Sequence, residues 1–208
     1  MARDAAATRQ RIVDAATKEF AAHGIAGARV DEIAARAGIN KRMLYYYFGS
    51  KEELFREILS RKLAERVATA VEMGDLPRSE RVALRQADHL ADPEYLRLLI
   101  WEALEDRSRC ETEGGEVAAE DERREAYQAW VEVTREAIGR GELPDDLDPA
   151  QLVLSEIALT MFPVAFPQIT RLICGVGPDD PTFLADRQEF LRNLFRHLSP
   201  QAAMELSD

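Results

Sequence analysis

Four side chains in one short stretch, Lys41, Arg42, Tyr45 and Tyr46, have the types and spacing to meet a polyanion. At i, i+1, i+4 and i+5 they share one side of a helix. Lysine and arginine neutralise phosphates. Tyrosine hydroxyls donate to phosphate oxygens, and the rings rest against sugars or thymine methyls. The run Tyr45-Tyr46-Tyr47-Phe48 cannot face one way on a helix, so Phe48 and part of Tyr47 are expected in the core, with Tyr45 and Tyr46 outside. Other chemistry is poorly provided for. The sequence holds no G-x-S-x-G and no H-E-x-x-H, and Gly175-x-Gly177 is too short for a dinucleotide loop. His23, His89 and His197 are scattered, and Cys110 and Cys174 have neither disulfide-framework nor metal spacing. The expectation is therefore a protein that is not an enzyme, with no metal site and no cofactor.

The elements that must position the cationic stretch are legible nearby. Residues 30–49 read VDEIAARAGINKRMLYYYFG. Ile33, Ala37, Ile39 and Leu44 are spaced to pack two helices together, and small Ala34 allows a close crossing. Gly38 falls where the first helix must end and accepts a left-handed backbone without steric cost. Asn40 can cap the second helix by accepting a backbone N–H. This is the pattern of a helix-turn-helix, whose second helix enters the DNA major groove. Ser50 and Glu53 form a capping box for a further helix. Upstream, Arg3, Arg9 and Arg11 lie on an N-terminal arm that can add phosphate or minor-groove contacts.

Charge divides the same way. The 208-residue chain has a net charge of −11, yet residues 1–62 carry 12 basic against 8 acidic residues and the remainder 15 against 30. Only the N-terminal part is suited to nucleic acid. A hydrophobic content of 46% supports a real core. The longest apolar run, Ile157 to Phe166, contains a proline and falls well short of the roughly 20 residues that span a bilayer. The N-terminus lacks an apolar signal-peptide core. A cytoplasmic protein without membrane contact is expected.

Helical periodicity runs almost throughout, and no segment alternates as a strand does. The spacing predicts nine helices, at about 8–23, 30–37, 41–48, 51–73, 78–91, 93–108, 118–140, 149–174 and 181–198. Asp92-Pro93, Asp148-Pro149 and Asp180-Pro181 each place a capping residue before a proline at the first helical position. Pro163 and Pro167 predict a kink or break in the eighth helix. Glycine and glutamate at 109–117 predict a solvated loop. Phe55, Leu59, Leu63, Val67 and Val71 place one apolar stripe along the fourth helix.

The run Ile33-Ala34-x-x-Ala37-Gly38, followed by Leu44-Tyr45-Tyr46-x-Phe48-x-x-Lys51-Glu52-x-Leu54, resembles the TetR family of bacterial regulators. Ile12, Ala15, Phe20 and Gly24 fit the family's first helix, so the resemblance covers about residues 8–60. It implies an all-α fold: a three-helix DNA-binding head over residues 1–50, linked by helix 51–73 to an effector-binding and dimerisation domain within 51–208. It also implies that Tyr45, Tyr46 and Lys51 contact phosphates, while Asn40, Lys41, Arg42, Met43 and Tyr47 face the major groove. The family commonly has Ser or Thr at 40, a small residue at 42, Thr or Ser at 43 and His at 47. Its positions 29–30 usually offer a hydroxyl, where this chain has Arg29 and Val30. Arg29 is expected to replace a neutral phosphate contact with a charged one, and Arg42 to suit guanine O6 and N7.

Beyond residue 60 the reading is physical. Leu152, Ile157, Phe183, Phe190, Leu191, Leu194, Phe195 and Leu198 give two helices broad apolar faces, as a four-helix bundle across a homodimer requires. Trp101, Glu105, Tyr127, Trp130, Met161 and Phe162 offer the aromatic and polar mixture of a small-molecule pocket. The expected function is a dimeric repressor released from a palindromic DNA operator by an unidentified small-molecule effector. The alternatives are a ligand-activated activator of the same fold and a helical protein-interaction module.

Overall fold

A computed structural model describes residues 2–73, 76–109 and 118–198. They form ten helices and, among these residues, no strand: α1 (Ala2–Gly27), α2 (Val30–Ala37), α3 (Lys41–Phe48), α4 (Lys51–Glu72), α5 (Arg78–Ala91), α6 (Pro93–Arg109), α7 (Glu120–Gly139), α8 (Pro149–Ala165), α9 (Pro167–Cys174) and α10 (Pro181–His197). Two details differ from the expected nine. The first helix begins at Ala2 rather than near residue 8, so residues 2–7 are helical as well. The eighth splits at Phe166 into α8 and α9, bent by 88°. No single described helix is long and apolar enough to cross a membrane. Cys110 and most of the expected 109–117 loop, with the side chains of Arg3 and Val71, lie outside what is described.

The chain forms two compact units, Met1–Arg66 with Glu94–Glu120, and Val67–Pro93 with Asp121–Asp208. In the first, Ile12, Phe20, Ile33, Leu44, Leu54, Ile58 and Leu59 are fully buried. Phe20 and Phe55 meet edge to face, centroids 5.4 Å apart, a favoured aromatic geometry. The α4 stripe is buried at Phe55, Leu59 and Leu63 and emerges at Val67. Gly24 breaks α1 with φ 67° and ψ −179°, a backbone region open essentially to glycine alone. The Trp101 ring packs there so closely that a Cβ on Gly24 would sit 2.7 Å from it. Trp101 Nε1 also donates to the Ala21 carbonyl (3.3 Å), and Glu105 accepts from the Ala26 amide (3.2 Å).

In the second unit, Val82, Ala137, Leu143, Leu152, Leu191 and Phe195 make the core, with α5 packed against α8 and α10. Asp148 and Asp180 cap α8 and α10 as their Asp-Pro pairs predict, accepting from Gln151 N and Thr182 N at 2.8 Å. Pro163 and Pro167 cost two backbone bonds, because neither has an N–H for the carbonyl four residues earlier. Side chains supply both. The Arg187 guanidinium donates to the Leu159 carbonyl (2.9 Å) below Pro163, and the Thr170 hydroxyl donates to the Pro163 carbonyl (2.9 Å) below Pro167. Pro163 is thereby tolerated inside α8, and the chain breaks only at Pro167.

Candidate nucleic-acid interface

The turn between α2 and α3 follows from its local sequence. Gly38 adopts φ 67°, ψ 38°, and this left-handed residue lets the Ile39 and Gly38 amides return to the carbonyls of Ala34 (3.0 Å) and Ala35 (3.2 Å). Asn40 then opens α3 by accepting from the Met43 amide at 2.9 Å. At the far end, Ser50 Oγ accepts from Glu53 N (3.0 Å) to start α4. A short, doubly capped helix is thus fixed against α2.

Its two faces separate as the residue types require. Leu44 and Phe48 are buried. Lys41, Arg42, Tyr45 and Tyr46 are exposed, Tyr46 by 82% and Tyr45 by 42%. Met43 and Tyr47 are half-buried at the margin, and the Tyr47 ring meets that of Tyr46 edge to face at 5.4 Å. Two of the lysines on this side are held by neighbours. Lys41 pairs with Asp31 on α2 (3.2 Å), and Lys51 donates to the Ala28 carbonyl (3.4 Å). Arg9 is paired with Glu57 and lies 4.7 Å over the Phe48 ring, so it braces the core instead of reaching outward.

Arg29 occupies the N-cap of α2, and its side chain makes no capping bond. Glu19, on the buried face of α1, compensates from another helix. Its carboxylate accepts the Arg29 amide (3.3 Å) and the Arg36 guanidinium (3.5 Å). The Arg29 side chain stays exposed, 3.7 Å from Glu32. Val30 is half-buried beside it. Sequence reasoning missed Glu19. The available signal was an acidic residue in phase with Ile12, Ala15 and Ala16, where only a partnered carboxylate is tolerated.

Known proteins agree with this geometry. Residues 12–58 match the model for bacterial regulatory proteins of the tetR family, and residues 81–196 match a Tetracyclin repressor-like C-terminal domain. The chain is 39% identical over 178 residues to the HTH-type transcriptional repressor SCO4008 of Streptomyces coelicolor, covering 85% of this chain and 88% of that protein. It is 31% identical over 151 residues to the HTH-type transcriptional regulator SrpR of Pseudomonas putida, covering 71% and 68%. The crystal structure of the transcriptional regulator SCO4942 from Streptomyces coelicolor superposes with a TM-score of 0.71 at 29% identity, over 93% of this chain and 98% of that one. The chain belongs to the TetR family. It is a DNA-binding transcriptional regulator, and its relatives are regulators and not enzymes.

The residues expected to line an effector pocket in this TetR-family chain fall in both units. Trp101 and Glu105 lie in the first unit, where both hold the end of α1. Tyr127, Trp130, Met161 and Phe162 lie in the second. Trp130 stacks on the Arg85 guanidinium at 3.8 Å, and Phe162 meets Phe166 at 5.1 Å. The apolar residues expected at a dimer interface also divide. Leu152, Phe183, Leu191 and Phe195 are buried in the chain's own core, whereas Ile157, Leu194 and Leu198 are half-buried and Phe190 is exposed. Leu154 and Phe162 of α8, Phe166 at the α8–α9 junction, and Leu172 and Ile173 of α9 are further exposed apolar residues.

Proposed function

We propose that the chain is a repressor that binds a near-palindromic operator as a homodimer and is released by a small-molecule effector. Residues 1–50 would read DNA, and residues 51–208 would dimerise and sense. The observation that carries the DNA-reading part is the two-faced α3. Its apolar side is locked in the core by Leu44 and Phe48, leaving Lys41, Arg42, Tyr45 and Tyr46 turned outward together. Arg42 is assigned to base edges, where a guanidinium suits guanine. Tyr45, Tyr46, Arg29 and Lys51 are assigned to phosphates. Asn40, Met43, Tyr47 and Val30 border that surface. On phosphate contact, Lys41 would exchange Asp31 for the stronger anion.

Repression is supported by the name of the relative at 39% identity. Release would be a population shift, in which the effector binds the operator-incompetent form of the dimer more tightly than the competent one. The dimer is assigned to the exposed apolar residues of α8, α9 and α10, a patch of the kind that marks association surfaces.

Selection of bound sites from random duplex DNA tests the reading, comparing wild type with Arg42→Ala/Tyr46→Ala. Both replaced side chains are exposed, so folding is preserved. A two-fold symmetric motif enriched only by wild type is the expected result. An asymmetric motif would exclude the symmetric dimer, and equal enrichment by the variant would exclude α3 as the reading element.

A further inference from the structure

Where α5 meets α8 in the second unit, the described residues bury more positive charge than the one buried carboxylate there balances, although residues beyond 62 are strongly acidic overall. Arg78, Arg81 and Arg85 lie on α5 at i, i+3 and i+7; Arg78 and Arg85 ion-pair with the buried Glu156 of α8, whose charge also acts on Arg81. Arg78 engages the Glu156 carboxylate and also donates to the Thr134 hydroxyl (2.9 Å). Arg85 Nη1 lies 3.6 Å from Glu156, close enough for ion pairing but without a hydrogen bond. Burial lowers the Arg81 guanidinium below its ordinary value, against the opposing charges of Glu156 and Glu142. One buried carboxylate therefore serves two largely buried guanidiniums. Burial pulls the Arg85 guanidinium down to about 10, against the opposing pull of Glu156.

The next residue on α5 is Gln86, which is fully buried. Among the described residues neither its amide nitrogen nor its amide oxygen has a hydrogen-bond partner. Buried polar groups are rarely left in this state, because each costs the desolvation of an unmade bond. Adjacent on α5, Arg85 and Gln86 each carry a buried N–H group without a hydrogen-bond partner among the described residues. The half-buried ring of Trp130 lies flat on Arg85 and gives an aromatic platform beside those donors.

We propose that the effector is a small organic acid whose carboxylate is received by Arg85 Nη1 and the Gln86 amide, with its carbon frame against Trp130. This rests on the reading of the chain as an effector-responsive regulator and names the chemical class it senses. Excess buried positive charge selects an anion, and the Gln86 amide supplies a donor that an apolar core would not hold. A cation would meet three arginines, and a neutral ligand would leave the charge uncompensated.

The test uses the full chain and thermal unfolding at constant ionic strength, with benzoate and octanoate as probes and benzamide and octanamide as neutral counterparts. An acid bound only by the folded state raises Tm with concentration. The expected result is a saturable rise of several degrees with at least one acid and none with its amide. Gln86→Met, similar in volume and apolar, is expected to keep or raise Tm without probe and to lose the acid-induced rise. Glu156→Gln, which removes the competing carboxylate, is expected to show a larger rise than wild type. No rise with either acid, an equal rise with the amides, or a lower Tm of Gln86→Met without probe would each overturn the proposal. Retention of a selected operator duplex is measured alongside. An acid that raises Tm and leaves the operator bound supports the site and counts against the release mechanism alone. Failure of wild type to hold any duplex counts only against the regulator reading.

Discussion

Glycine serves two different purposes in this chain, and substitution separates them. At Gly38 the left-handed backbone is needed but a Cβ would meet nothing within 4 Å. Gly38→Ala should cost about 1–2 kcal/mol, the ordinary penalty of that conformation, and Gly38→Asn less. At Gly24 the backbone is in a region nearly closed to other residues and the Trp101 ring fills the space. Gly24→Ala should cost more than Gly38→Ala, with backbone strain alone of about 1–3 kcal/mol. Urea unfolding of the two variants checks the order, and equal costs would mean that Trp101 does not press on the α1 break. A third residue reports pH. The Asp180 carboxyl is held below its usual value by the Thr182 hydroxyl and by backbone N–H groups of the first turn of α10. Because the folded value is depressed, the stabilisation is complete above the ordinary aspartate range and is lost as pH falls through the folded value. The Tm gap between wild type and Asp180→Ala should therefore be widest near neutrality and close in acid. A gap unchanged down to pH 3 would exclude the carboxylate form as the cap.

At the scale of elements, α8 persists through Pro163 because α10 lends it a donor. The Arg187–Leu159 bond replaces the backbone bond that proline forbids. Arg187→Met should leave a buried carbonyl unsatisfied, at about 1–3 kcal/mol. The same change made in a Pro163→Ala background should cost less, since residue 163 would regain its own N–H. A double-mutant cycle with no coupling would dismiss the compensation. The α5–α8 packing depends likewise on Glu156. Glu156→Gln leaves Arg78 and Arg85 buried without a counter-charge and should destabilise by about 3–5 kcal/mol, read from the shift in the urea midpoint at unchanged slope.

For the whole molecule, the division between core and exposed apolar surface on the last helices decides what mutagenesis would show. Leu172 and Ile173 of α9 are 86% and 76% exposed in the single chain, while Leu191 of α10 is fully buried. Ile173→Glu should give a folded monomer by light scattering, because nothing in the chain's own core is lost. Leu191→Ala should instead cost about 2–5 kcal/mol as a core cavity, whatever the oligomeric state. A dimer that survives both Ile173→Glu and Phe190→Glu would move the interface elsewhere. A symmetric dimer further predicts operator half-sites about one helical turn apart, roughly 34–36 Å, which footprinting of the selected sites would measure.

The features that were legible in the sequence are those whose physics is local. The Gly38 turn, the Asn40 cap, the Asp148 and Asp180 starts and the inside–outside division of Lys41 to Phe48 each depend on residues within about four positions, so spacing alone determined them. The family was legible as a resemblance of the run from Ile33 to Leu54 to the TetR pattern, which the match over residues 12–58 bears out. What only the tertiary structure decided involves partners far apart in the chain. Glu19 reaches Arg29 from another helix, Trp101 meets α1 across 80 positions, and Arg187 finds Leu159 across 28. The contacts of Trp101 and Glu105 with the end of α1 were not legible in the sequence, because aromatic and acidic types do not state which distant backbone they meet. Leu191 and Phe195 read as interface residues because an apolar helix face does not state whether its own chain or a second one covers it. Helical periodicity fixes which side of an element is apolar; only the packing of one helix on another assigns that side a partner.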